Sequence, residues 1–283
     1  MALSGFVSTE WLAEHLQDRE LRIFDVTVVF RPQPDPTQPR AIESGRPGYG
    51  LEHVPGAGFI DIPNELSEPD ARFRFTLPSP AIVSRTFSRH GIGPESSVVF
   101  YAAAGSWAAR AYYVAREFGL QSVAVLDGGL GKWKREGRPL SQAPAPERAA
   151  TFEAKRQHRY FVGKDEVLAL LGDPHARIVS ALPVQSHRLG FRRPGWIPGS
   201  VNVPAVDLTD PATEGLISVQ ARRDVFAAAA VTSAERVITY CGGGIAAATT
   251  ALALESVGGP PVAIYDGSLS EWTADEQLPL ELR

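Results

Sequence analysis

Cys241 is the one cysteine among 283 residues, and it stands between an apolar run and three glycines, in Val237-Ile238-Thr239-Tyr240-Cys241-Gly242-Gly243-Gly244. Ile245-Ala246-Ala247-Ala248-Thr249-Thr250-Ala251-Leu252 follows and reads as a helix. The order strand, glycine loop, helix sets the sulfur at the carboxyl end of a strand and beside a helix N-terminus. Amides there lack partners within the helix, and the helix dipole is positive at that end. Both favour the thiolate, which is the nucleophilic form of cysteine. The chemistry expected is that of a nucleophilic thiolate at Cys241, the alternative for an isolated cysteine being a buried structural thiol. One cysteine excludes an internal disulfide, and no Cys/His cluster has zinc spacing, so no metal is expected. No Lys followed by Ser or Thr closes the glycine run, which excludes a P-loop, and no cofactor is expected.

The elements that position this cysteine are written twice. The shift in numbering that carries Val98-Val99-Phe100-Tyr101-Ala102 onto Val237-Ile238-Thr239-Tyr240-Cys241 also carries Leu126-Asp127-Gly128-Gly129-Leu130 onto Tyr265-Asp266-Gly267-Ser268-Leu269, and Trp133 onto Trp272. Upstream, His53-Val54-Pro55-Gly56-Ala57 matches Trp196-Ile197-Pro198-Gly199-Ser200. Two copies of one module are expected: residues 1–142 without the cysteine, a Pro/Ala-rich linker at 143–155, and 156–283 with it. Each copy predicts a short helix (8–16; 164–171), a strand (21–26; 177–181), a Pro-Gly turn, a short strand (58–62; 201–203) and a helix (80–90; 219–230). The strand entering the loop, another helix and a last strand (123–126; 262–265) complete it. Alternating strands and helices imply an α/β fold, each module a parallel sheet flanked by helices, with ligands beyond the carboxyl ends of the strands. Ala102 takes the place of the cysteine in the first copy, so thiol chemistry is confined to the second. The Pro/Gly-rich stretch 31–50 has no helical or strand period and is expected to be a loop near the cleft.

With these motifs the chain resembles the tandem-domain sulfurtransferases of the rhodanese family, which act on thiosulfate or 3-mercaptopyruvate. The resemblance implies an enzyme in which Cys241 takes a sulfane sulfur from a small anionic donor and becomes a persulfide. It then passes that sulfur to a thiol, cyanide or protein acceptor. The loop amides of Gly242, Gly243, Gly244, Ile245 and Ala246 are implied to stabilise the sulfur. Some family features are missing. The two basic residues that follow the cysteine in thiosulfate-using members are Gly242 and Gly243 here. The Ser two positions after it in mercaptopyruvate-using members is Gly243. The family's Asp-x-Arg after the first strand is Ser180-Ala181-Leu182, and its His before Ile-Pro-Gly is Trp196, though His53 keeps that place in the first copy.

An anionic donor still calls for positive charge. Arg188, Arg192 and Arg193 lie between Leu182 and the Pro198-Gly199 turn, and a guanidinium fork suits a carboxylate or sulfonate. His53 is a further candidate for orienting a donor, with Asp61 and Glu65 near it in sequence. A net charge of −4 gives no basic footprint for nucleic acid or anionic membrane. No apolar run spans a bilayer and no secretory leader is read, so a cytoplasmic location is expected, one that suits a free thiol. The competing reading is a persulfide carrier or sulfur sensor of the same fold. A cysteine phosphatase would need an Arg closing the loop, and none lies between Cys241 and Ala248.

Overall fold

The computed structural model describes residues 2–31, 41–103, 106–188 and 191–283. Two five-stranded parallel sheets organise it. The first runs in the order Phe6–Val7, Ser122–Leu126, Ser97–Tyr101, Leu21–Asp25, Gly58–Phe59. The second runs Val201–Asn202, Ala176–Ser180, Arg236–Tyr240, Val262–Tyr265, Phe161–Val162. In each, the strand that feeds the site loop is central, and all but its first residue is buried. Near-continuous apolar runs such as Val98–Tyr101 are what a strand covered by helices on both faces requires.

The four strands expected in each module are present, and a fifth completes each sheet at Phe6–Val7 and Phe161–Val162. These two-residue strands are too short to carry a readable period. The stretch expected to lack structure between 31 and 50 departs from that reading. Val28–Arg31 pairs antiparallel with Ala41–Ser44, and Arg46–Leu51 is a short helix with Pro47 in its first turn. Proline is tolerated there because the first amides of a helix need no partner. Residues 32–40, between those strands, lie outside the described residues.

The modules dock through one helix from each, Trp107–Glu117 and Ile245–Glu255, which pack on each other in a single apolar core. Both helices bring small residues into this core: Ala108, Ala111 and Ala115 from one, Ala247, Ala248 and Ala251 from the other, all buried. Without bulk at these positions, the axes can approach closely and ridges fit grooves. The connecting segment is pinned to the first module, with the Phe152 and Ala154 amides donating to Ser88 and Ser84 Oγ (2.9 Å each). Trp133 and Trp272 are fully buried core residues, each donating its indole N–H to a proline carbonyl, Pro139 at 2.7 Å and Pro279 at 2.8 Å.

Candidate active site

Tyr240 ends the central strand of the second sheet, and Cys241 is the next residue, 2% exposed. The loop Cys241–Gly244 then turns into the Ile245–Glu255 helix through Gly244, whose φ is +74°. A side chain at Gly244 would also come within 3.0 Å of the Asp266 carbonyl and of Arg110, so glycine is required there twice over.

Ser268 holds the loop from beneath. Its buried hydroxyl accepts from the amides of Cys241 and Gly244, both at 3.1 Å, and donates to the Tyr265 carbonyl at 2.7 Å. The Gly242 carbonyl is turned away from the sulfur and accepts from Ser270 N (3.0 Å) and Oγ (2.6 Å). Of the five amides expected to face the sulfur, that of Gly244 is therefore committed to Ser268. Those of Gly242, Gly243, Ile245 and Ala246 have no protein acceptor among the described residues. Four open N–H groups at a helix N-terminus form an anion-stabilising cradle.

A second layer crosses from the other module. Arg110, 0% exposed on the Trp107–Glu117 helix, sets its guanidinium 2.7 Å from Asp266 Oδ1 and donates to the Phe75 carbonyl. The same group lies over the Phe161 ring at 4.3 Å. Asp266 Oδ2 accepts from the Leu77 amide at 2.8 Å. The turn that follows the last strand of the second sheet thus grips the first module's 72–77 loop. In return, Asp127 Oδ1 accepts from Leu216 N at 2.7 Å, the same bond with the modules exchanged. Arg110 was legible as the one charge of its helix before the last turn, amid Ala, Trp and Tyr, and Ser268 as the hydroxyl standing where the first copy has Gly129. The loop 72–77 carried no such signal.

The sulfur faces a cavity of about 1640 Å³ between the modules, bounded by Cys241, Gly242, Gly243 and Ile245 on one side and by Ala102, Trp107 and Phe75 on the other. None of the four residues expected to bind donor lines it. Arg188 and Arg192 are exposed on the loop that follows, whereas Leu182 and Pro183 before them line the cavity. Arg193 points the other way. Its guanidinium donates to the carbonyls of Thr273 (3.1 Å), Asp275 (2.6 Å) and Leu278 (3.1 Å), satisfying the end of the Ser268–Trp272 helix. His53 is buried and stacked on Tyr49, with its ring nitrogens 2.8 Å from the Tyr49 carbonyl and 2.9 Å from that of Ala143. Neither Asp61 nor Glu65 polarises it, since Glu65 pairs with His90 at 3.1 Å. Among the described residues, the cations that do line the cavity are Arg72 and Arg74, from the first module.

The end of the first strand, where the family's Asp-x-Arg is missing, is closed by other means. Ser180 Oγ meets His187 Nε2 at 2.8 Å, and His187 stacks on Trp196 with centroids 3.5 Å apart. Burial pushes the His187 pKa down and keeps its ring neutral. Tyr240, buried beside them, is pushed up to about 12 by the same cause and remains a phenol, 2.9 Å from Ser200 Oγ.

The rhodanese-like domain matches this chain twice, over residues 8–136 and 163–275. The chain belongs to the rhodanese family. Among relatives, the 3-mercaptopyruvate sulfurtransferase of Escherichia coli is 31% identical over 290 residues, covering 99% of both chains. The thiosulfate sulfurtransferase of Rattus norvegicus is 33% identical over 284 residues, covering 95% of this chain and 91% of its own. The crystal structure of SseA from Escherichia coli superposes with a TM-score of 0.82 at 29% identity, over 94% of this chain and 98% of that one. Two rhodanese modules in tandem, matched end to end by sulfurtransferases, make this protein a sulfurtransferase. No described helix is long and apolar enough to cross a membrane.

Proposed function

We propose that this sulfurtransferase works through a persulfide on Cys241. The reading rests on one observation, the placement of the sulfur at a strand end against four open amides and an inter-module cavity. The Cys241 thiolate attacks the outer sulfur of a small anionic donor. With thiosulfate the S–S bond breaks and sulfite leaves with the electron pair. With 3-mercaptopyruvate the C–S bond breaks and the carbon takes the thiol proton, giving pyruvate. The amides of Gly242, Gly243, Ile245 and Ala246 hold the negative charge in both the thiolate and the persulfide. A thiol, cyanide or protein acceptor then removes the sulfur in a separate half-reaction.

Arg72 and Arg74 replace Arg188, Arg192, Arg193 and His53 as the groups that draw an anionic donor in. They stand on the cavity wall, and Arg74 also borders the loop, its carbonyl 3.8 Å from where a Gly243 side chain would begin. The module limits proposed are 1–142 and 156–283, with 143–155 as the strap between them. The compartment proposed is the reducing cytoplasm, where a lone reactive thiol persists.

The test is intact-protein mass spectrometry after brief exposure to thiosulfate, and separately to 3-mercaptopyruvate. The wild type gains one sulfur atom and Cys241→Ser gains none. A sulfur gained by the serine variant, or by neither protein with either donor, removes the assignment.

A further inference from the structure

The cavity beside Cys241 holds about 1640 Å³, whereas pockets for drug-sized ligands run to roughly 300–1,000 Å³. A small anionic donor leaves most of it unused. Its walls are apolar where they need not be. Leu182 and Pro183 stand after the first strand, and across from them runs an aromatic row centred on Trp107. Phe75 meets Trp107 edge-on at 5.0 Å, and Phe30 lies 5.4 Å from the same ring, tilted by 35°. The row starts at the cysteine loop, because Phe75 Cδ2 is 3.8 Å from where a Gly243 side chain would begin. It ends at Phe30, which leaves 44% of its surface in water on the Val28–Arg31 strand. A contiguous apolar wall that runs from the cysteine loop to the surface is a patch of the kind that lines a ligand groove, and covering it releases free energy in proportion to area.

We propose that the sulfur acceptor is a small thiol with an aromatic or bulky aliphatic body. The body lies along Phe75, Trp107 and Phe30, against the first module's Ala102, and the thiolate meets the loop. This rests on the persulfide reading and names the molecule that discharges it. The acceptor thiolate R–S⁻ attacks the outer sulfur of Cys241–S–SH. The S–S bond to Cys241 breaks, its electron pair stays on the Cys241 sulfur, and R–S–SH departs with the proton. The transfer needs no oxidant or reductant.

Two measurements separate the pocket from the persulfide. In the first, Cys241 is treated with benzyl or methyl methanethiosulfonate. The thiolate displaces methanesulfinate and takes up the benzylthio or methylthio group, with no persulfide involved. The benzyl-to-methyl rate ratio, divided by that of free cysteine, is expected to reach about tenfold, and to fall at least about threefold in Phe30→Ala and in Leu182→Arg. In the second, the persulfide formed from 3-mercaptopyruvate or thiosulfate is discharged by 2-phenylethanethiol or 2-mercaptoethanol, and the same order of preference is expected. A ratio near one in the first measurement overturns the apolar site, whatever the second shows. A clear ratio with a Cys241 that never takes up sulfane sulfur instead overturns the persulfide reading, and the acceptor role with it. Equal discharge by the two thiols overturns the acceptor assignment alone.

Discussion

The loops after Tyr101 and after Tyr240 leave the same strand in the two modules and share one bond. The Leu130 amide donates to the Ala102 carbonyl at 3.1 Å, and the Leu269 amide donates to the Cys241 carbonyl at 3.0 Å. Beyond that bond they are anchored from opposite sides. In the first module the Ala103 amide donates to Thr27 Oγ1 at 2.7 Å, and Thr27 is itself bonded to Asp25 at 2.5 Å. The loop is thus tied to the end of the first strand. In the second module the anchor is Ser268, from the turn after the last strand, and the first-strand end is closed on itself by Ser180 and His187. The comparison separates two things a reactive cysteine needs. One is the sulfur. The other is a loop held from below, so that its outer amides stay free.

The supports of the second loop can be removed one at a time. Arg110 has no charged counterpart, since the same shift in numbering carries it to Thr249. Arg110→Ala leaves the Asp266 carboxylate without its buried partner, and urea unfolding is expected to show a loss of about 3–5 kcal/mol. A loss no greater than that of a surface substitution would mean the ion pair does not hold the modules together. Ser268→Gly copies the first module into the second. Two buried amides lose their acceptor at about 1–3 kcal/mol each. Relief of the left-handed backbone at Ser268, where φ is +49°, restores about 1 kcal/mol. A net loss of about 1–5 kcal/mol is expected, with slower alkylation of Cys241 by iodoacetamide. Unchanged alkylation would show that the cradle stands without its anchor.

The first-strand ends also titrate in opposite senses. Burial raises the Asp25 pKa in the first module and lowers that of His187 in the second. A lowered folded-state pKa means that the unfolded chain takes up the proton first. His187 therefore contributes stability that is complete above about pH 6.5 and is lost as the pH falls below it. The raised Asp25 works the other way, its contribution fading as the pH rises above the ordinary carboxylate range. Urea midpoints from pH 7.5 to 5.5 should fall in the wild type and fall less steeply in His187→Phe, and equal slopes would exclude the histidine as the cause. The smallest effect expected is none at all. Ala102→Cys should leave a thiol that alkylates no faster than free cysteine, because no hydroxyl equivalent to Ser268 lies beneath it. Fast alkylation there would show that the strand end and helix suffice.

Much of this was legible in the sequence for local reasons. Strand, glycine loop and helix are neighbours in the chain, and the repeat reported each element twice, at one spacing from the loop strand onward. Arg188, Arg192, Arg193 and His53 show where that reading stops. Their types suit an anion, but the direction of a loop side chain depends on what packs against it. Arg193 turns toward carbonyls at a helix end, and His53 toward the carbonyls of Tyr49 and of Ala143 at the start of the linker. The groups that do reach the cysteine loop from across the cleft, Phe75 and Arg74 beside Gly243, arrive there only because two helices dock. No pattern within one module records that docking.

The paired bonds from Asp127 to Leu216 and from Asp266 to Leu77 have a consequence for how such a chain can arise. A contact related by two-fold symmetry is self-complementary, so a single ancestral copy would carry both halves and could associate with its twin. Fusing two such copies keeps the clasp without inventing any new surface. Thereafter the halves are free to diverge everywhere except at the clasp. One can give up its sulfur and become a wall for the other's ligand, and the shape of that wall is then what selection is able to tune.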